Sequence, residues 1–318
     1  MFVRELTDGQ DLEKVLLVRG CELRSKGDGS EYLRLSLGDR TGAVVAIVRE
    51  HVRDAARVCE PGRAVAVSGR YGVHARYGPE LTVEAVRAAE AGEYDLGELL
   101  DGPPRGVEQM EEALRELVAQ VQSRPLRELL DCVLGPDAPT WPAYRDAPAA
   151  KRYHQAYRHG LLEHSLSVGE AVAVISTTFP GIDRDVAITG ALLHDIGKLD
   201  AYTSDPLAID MTDLGKLHGE IALGYFRIRS EIERIPGFPD DVAAAVLHII
   251  LSHHGQLEHG SPVVPCTREA TLVHMIDNLG GKLGSFDRLE KELPNGSAWS
   301  GYDRALGGGA FFAARQAA

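Results

Sequence analysis

E-Y-L-R-L-S-L-G-D-R-T-G-A-V-V-A-I-V, Glu31 to Val48, sets the reading of the first part of the chain. Leu33, Leu35 and Leu37 fall on every second position, the period of a strand with one buried face. The Asp39 to Gly42 turn then leads into a second strand-like run, Ala43 to Val48. Outward from this pair lie three more such runs, Val15 to Leu23 before it and Ala64 to Val67 and Leu81 to Val86 after it. One helical segment, His51 to Val58, separates the third strand from the fourth. Three strands, a helix and two strands is the order of the five-stranded Greek-key barrel called the OB-fold; another small barrel or a sandwich edge is the competing architecture.

Beyond Glu90 the period changes. Val107, Met110, Leu114, Leu117, Val118 and Val121 recur at three and four, which predicts an amphipathic helix, and Pro125 restarts a second one through Leu134. A run of four prolines, Pro136, Pro139, Pro142 and Pro148, marks the entry to an all-helical region. Asp183 and Thr267 are expected N-caps, and Gly160, Gly197, Gly255 and Gly280 expected helix boundaries. The organisation expected is multidomain α+β: a barrel over 1–92, a helical linker over 93–145, an all-α domain over 146–290 and a Gly-rich tail over 291–318, with Trp299, Tyr302, Phe311 and Phe312 either docked on the core or part of a partly ordered terminus.

With 318 residues, 44% apolar and 25% charged, the chain has ordinary globular proportions. No apolar run approaches the ~20 residues of a membrane span, and Met1 to Leu16 lacks the basic-then-apolar layout of a signal peptide. Cys21, Cys59, Cys132 and Cys266 form no C-x-x-C pair, which fits reduced, buried thiols and a cytoplasmic location. The net charge of −13 counts against long-duplex binding, but residues 1–90 are balanced, with 14 basic and 14 acidic side chains, so the acidity lies downstream of the barrel.

Ten of the twelve histidines fall between His154 and His274. Seven candidate ligands stand in order on different predicted helices or their ends: His164, His194, Asp195, His218, His253, His254 and Asp277. Imidazoles with carboxylates suit borderline divalent metals, and a carboxylate can bridge two ions. Asp195, following His194 at the end of the apolar run Ala187 to Leu193, is the best placed bridge.

The motif L-L-H-D-I-G-K, Leu192 to Lys198, with His164 upstream and Asp277 downstream, resembles the HD superfamily of metal-dependent phosphohydrolases. The N-terminal barrel and the segment P-A-A-K-R-Y-H-Q-A-Y-R-H-G-L-L-E-H-S-L-S-V, Pro148 to Val168, are similar to the YhaM-type 3′-5′ exoribonucleases over roughly residues 10–290. The chain departs from that pattern at His154-Gln155, where the family commonly pairs histidines, and at His159, where it has a small residue. The resemblance implies a 3′-5′ exonuclease acting on single-stranded RNA, with DNA as a second polymer, and two divalent ions, manganese first and iron, cobalt or nickel as substitutes.

Two metals ~3.5–4 Å apart account for the ligand count and for a hydroxide attacking phosphorus. On this reading His164, His194, Asp195 and Asp277 hold one ion and Asp195, His218, His253 and His254 the other. Lys198 would place its charge on the scissile phosphate. Lys282 would reach phosphate and His274 would orient Asp277; His248 and His259 read as structural or exposed. On the barrel, Tyr32, Arg34, Arg70, Tyr71, Arg76 and Tyr77 are the expected strand-binding residues, because OB-folds stack bases on aromatics and track phosphates with basic groups. The alternative is a phosphohydrolase or phosphodiesterase for small nucleotides or cyclic dinucleotides, with the barrel assembling a homo-oligomer or sensing a signal.

Overall fold

The structure, a computed structural model, describes residues 1–27, 29–74, 78–100, 102–151, 155–203, 205, 207, 209–293 and 297–313. The chain forms two compact units, one built mainly on Met1–Gly102 and the other on Pro103–Ser204 and Ile209–Glu290 with the C-terminal segment.

The first unit is a closed barrel. Its strands are β1 (Asp11–Ser25), β2 (Glu31–Asp39), β3 (Gly42–Val48), β4 (Ala64–His74) and β5 (Gly78–Ala88), with helix α1 (Val52–Val58) between β3 and β4. They close in the order β1-β2-β3-β5-β4, β1 pairing antiparallel with β4 and β3 parallel with β5. This is the OB-type topology that the strand count and the helix position indicated. Leu33, Leu35 and Leu37 of β2 point inward with Leu16, Val18, Ala46, Val65, Val67 and Leu81. Strands β4 and β5 run past the apolar stretches that announced them, because the backbone pairing, which places Gly72 opposite Glu80 and His74 opposite Gly78, needs no apolar side chain outside. At Gly69, beside a register shift in the β4–β5 ladder, a Cβ would stand 2.3 Å from the Thr82 carbonyl oxygen, so only glycine allows this approach.

Asp39 closes the end of β2. Its fully buried carboxylate accepts hydrogen bonds from the Val3 amide (2.8 Å), the Thr41 amide (2.9 Å) and the Thr41 hydroxyl (2.6 Å), and pairs with Lys14 at 3.3 Å. Burial alone would raise its pKa; Thr41, Val3 and Lys14 outweigh that and hold it below the usual carboxylate value.

A short helix, α2 (Leu96–Leu99), completes the first unit. The second contains α3 (Val107–Ala119), α4 (Arg124–Leu134), α5 (Trp141–Asp146), α6 (Gly160–Ile175), α7 (Arg184–Leu193), α8 (Lys198–Ala201), α9 (Asp213–Arg234), α10 (Asp240–Ser252) and α11 (Arg268–Glu292). The segment expected as a linker therefore divides. The apolar faces of α3 and α4, with Met110, Leu114, Leu117, Leu126 and Leu130, share one core with Leu162, Leu192, Ile228 and Ile250. Amphipathic helices of this kind bury their stripe wherever a core accepts it. Asp183 caps α7 through the amides of Asp185 and Val186, and Thr267 accepts from the Ala270 amide at the start of α11. Gly280 ends nothing: it lies inside α11, where glycine costs about 1 kcal/mol relative to alanine.

The C-terminal segment makes a bridge between Trp299 and Phe311, and the Phe312 ring meets Phe286 of α11 edge to face at 6.2 Å. All four cysteines are free: Cys59 is buried in the barrel core with Cys21 packed partly against it, whereas Cys132 and Cys266 are exposed rather than buried. Among the described residues no helix is long and apolar enough to cross a membrane.

Candidate metal centre

Two helices end on a candidate ligand in the same way. His194 terminates α7 and His253 terminates α10, where the last carbonyls lack intrahelical partners. Each ring turns back so that its Nδ1–H donates to the carbonyl three residues earlier, Ala191 at 2.7 Å and Ile250 at 2.8 Å. A carbonyl accepts only from a protonated nitrogen, so in both rings Nε2 carries the lone pair and faces the centre. Asp195 follows His194 directly and is buried with it.

His164 on α6 and Asp277 on α11 complete the near side. The His164 Nε2 lies 3.1 Å from the His194 Nε2, 3.1 Å from Asp277 Oδ1 and 3.3 Å from Asp195 Oδ2. One ligand atom from each of His164, His194 and Asp277 falls within 4.8 Å of the others. On the far side, His253 Nε2 stands 3.5 Å from Asp195 Oδ1, and the His253 and His254 rings are 4.3 Å apart. Asp195 thus turns one oxygen to each side.

The arrangement fits a cation. Asp195 Oδ1 and His253 Nε2 are buried and make no hydrogen bond, although they face each other. Both are acceptors in the tautomer fixed by Ile250, and two opposed lone pairs in a dry interior are costly without a positive charge between them. Burial would raise the Asp195 carboxyl, but the Lys198 ammonium outweighs it and holds the group well below the usual range.

Other expectations change. His218 is exposed, and among the described residues no hydrogen bond, ion pair or ring contact joins it to the cluster. The cause is Gly219, whose φ of 73° and ψ of 154° break α9 in a region that only glycine enters readily. Past this break it is Glu220 that approaches, its Oε1 3.9 Å from His254 Nε2. Glu220 was missed because His218 offered the more familiar ligand; the adjoining glycine was the available signal. Lys198 does not stand free for a phosphate: its Nζ sits 2.6 Å from Asp195 Oδ2, and that carboxylate outweighs burial to raise the lysine pKa. His274 donates from Nδ1 to the His253 carbonyl at 2.7 Å instead of orienting Asp277. Lys282 is exposed. His248 accepts from the Cys266 amide, and the His259 carbonyl accepts from His254 Nδ1 at 2.9 Å. His159 begins α6 in the left-handed region, with Nδ1 2.8 Å from the Arg145 carbonyl, and His154 lies outside the described residues.

On the barrel, Tyr71 is corrected. It is only 8% exposed and packs in the barrel core, because its place in β4 points it inward, so its ring is not a platform for bases. Tyr32 and Arg34 are half-buried on the outer side of β2, opposite Arg24 and Glu22 of β1. Arg70 is exposed, 3.9 Å from the Asp11 carboxylate. Arg76 and Tyr77 lie outside the described residues.

Residues 161–281 match the HD domain family, and with the buried His–Asp cluster this defines the class: the chain is an enzyme, a metal-dependent phosphohydrolase carrying an OB-type barrel. Within that class the resemblance to the YhaM-type enzymes is borne out along the chain. It is 29% identical over 289 residues to the 3′-5′ exoribonuclease YhaM of Geobacillus sp. (strain WCH70), covering 90% of this chain and 87% of that protein. To the 3′-5′ exoribonuclease YhaM of Bacillus subtilis (strain 168) it is 26% identical over 288 residues, 90% of each. Among solved structures, the second OB-fold domain of replication protein A from Methanococcus maripaludis aligns with 29% of this chain and 96% of its own at 21% identity and a TM-score of 0.24.

Proposed function

We propose that this protein is a 3′-5′ exonuclease that shortens single-stranded RNA by hydrolysing its phosphodiester bonds with two divalent ions, manganese first among them. The observation that carries the reading is the convergence of imidazole and carboxylate side chains from four helix ends and faces on Asp195. Its Oδ2 faces His164 and His194, and its Oδ1 faces His253, as a bridging carboxylate requires. His164, His194, Asp195 and Asp277 would hold one ion; Asp195, His253, His254 and Glu220 would hold the other, Glu220 in place of His218. Such a pair supplies an activated water and neutralises the phosphoryl oxygens.

The chain's own residues do the rest. The Ala191 and Ile250 carbonyls accept from Nδ1 of the two imidazoles and so aim their Nε2 atoms inward. Lys198 anchors the Asp195 carboxylate through its Oδ2. Strand holding falls to the barrel, through Tyr32, Arg34 and Arg70 together with Arg76 and Tyr77. The similarity to proteins named exoribonucleases over 90% of the chain favours a polymer over a free nucleotide.

A 5′-labelled RNA oligonucleotide digested with Mn²⁺ should give a ladder shortening from the 3′ end, and chelator should stop it. DNA, nucleoside triphosphates and cyclic dinucleotides are run in parallel. Intact oligonucleotide beside rapid turnover of the small substrates would overturn the reading in favour of a small-nucleotide phosphohydrolase.

A further inference from the structure

His194 and His253 take their tautomer from carbonyls of their own helix ends, but His164 cannot. It lies within α6 (Gly160–Ile175), where carbonyl groups are committed to amides further along, so the acceptor for its Nδ1 must come from elsewhere. It comes from Gln155, whose Oε1 lies 3.1 Å from His164 Nδ1.

A glutamine amide can present either end, and the direction is set by Glu163. That carboxylate accepts from the Tyr157 hydroxyl at 2.5 Å and is also faced by the side chain of Gln155. A carboxylate takes only donors, so it draws the NH₂ of Gln155 and leaves the amide oxygen for His164. The oxygen requires a proton on Nδ1, and the His164 Nε2 is then a lone pair directed at His194, Asp195 and Asp277.

The backbone is shaped for this contact. Gln155 has a φ of 58°, and His159 one of 68°, in the left-handed region that side chains seldom enter. The Gln155 carbonyl accepts from the Ala149 amide at 3.1 Å. At Gly160 a Cβ would come within 2.0 Å of that same carbonyl oxygen, so the loop lies against the first turn of α6 only because glycine opens it.

We infer that Gln155 is a positioning residue: held in direction by Glu163 and Tyr157, it fixes the imidazole tautomer of His164 and so prepares that ring to bind metal. The inference rests on the metal reading above. Partners of this kind, when removed, typically cost 10–100-fold in metal affinity.

The full-length chain is stripped of metal and titrated with Mn²⁺ alone, with Co²⁺ and Ni²⁺ in separate arms, while ¹⁵N-histidine spectra of the metal-free chain report the tautomers. Gln155→Met, of similar length but without the amide, should lose about 10–100-fold in affinity for one ion. Its His164 signal should move from the Nδ1–H form to a mixture, with the metal-free unfolding temperature unchanged. Glu163→Gln, which lets the amide turn either way, should show a several-fold loss with the same spectral change, and serves if Gln155→Met fails to fold. Failure of the wild-type chain to bind any of the three ions would remove the metal reading and this inference with it. Normal wild-type binding beside unaltered affinity and tautomer in the variants would overturn the role of Gln155 alone.

Discussion

Asp195 concentrates the chemistry of this protein at a single residue. Its two oxygens face different sets of nitrogens, and it is buried, so removing it leaves those nitrogens converging with nothing between them. Asp195→Ala is expected to abolish turnover and to cut bound metal below the two equivalents proposed for the wild type, measured by elemental analysis of protein prepared without chelator; near-normal activity with two metals retained would refute the bridge. The choice between His218 and Glu220 gives a sharper contrast. His218→Ala should leave metal content and rate within about two-fold of wild type, whereas Glu220→Ala should weaken one of the two ions by about 10–100-fold, the scale on which metal-site partners matter. The reverse order of effects would return the ligand to His218.

At the scale of elements, the site depends on how closely α7 approaches α10, because each helix delivers a histidine at its C-terminal end. The approach is set at Gly190, where a Cβ would stand 2.3 Å from the Cδ1 of Ile249. Gly190→Ala should cost about 1–3 kcal/mol of stability through overpacking and lower metal affinity by separating His194 from His253; adding Ile249→Val should restore part of both. Calorimetric unfolding and metal titration of the single and double variants test this, and simple additivity of the two changes would argue against the contact. In the barrel, Asp39 joins the end of β2 to the N-terminal turn through bonds to a charged acceptor, so Asp39→Asn should destabilise by about 1.5–3 kcal/mol. Because the folded-state pKa of Asp39 is lowered, this contribution is complete above the unfolded carboxylate value, ~3.9, and is lost as pH falls through the lower folded value. The gap between variant and wild type in urea unfolding followed by circular dichroism should therefore be constant from pH 5 to 8 and shrink below about pH 4.

For the whole molecule, an acidic chain that handles a polyanion has to gather positive charge locally, and the barrel is where basic and acidic side chains balance. On a chain inactivated at Asp195, Arg34→Ala and Arg70→Ala should each weaken binding of single-stranded RNA irrespective of sequence and reduce the salt slope by about 0.7, the value for one phosphate contact on a single strand. Titration at two salt concentrations measures it, and unchanged slopes would place the strand on another surface. Tyr71 shows how far sequence reaches here. It alternates with arginines as a stacking residue would, yet β4 continues through it and the pleat turns it inward, since side-chain direction in a strand follows from where the pairing extends. The strand order, the histidine series and the carboxylate that joins it were all legible in one dimension, because alternation, helical period and ligand type are local properties of residues. What only the tertiary structure decided was which of two neighbouring residues faces the cluster, which helices share a core, and which side chain lies against His164. Those answers turn on Gly219, on the burial of α3 and α4, and on Gln155: a backbone angle, a packed surface and a contact across a loop, each of which exists only once the chain has closed on itself.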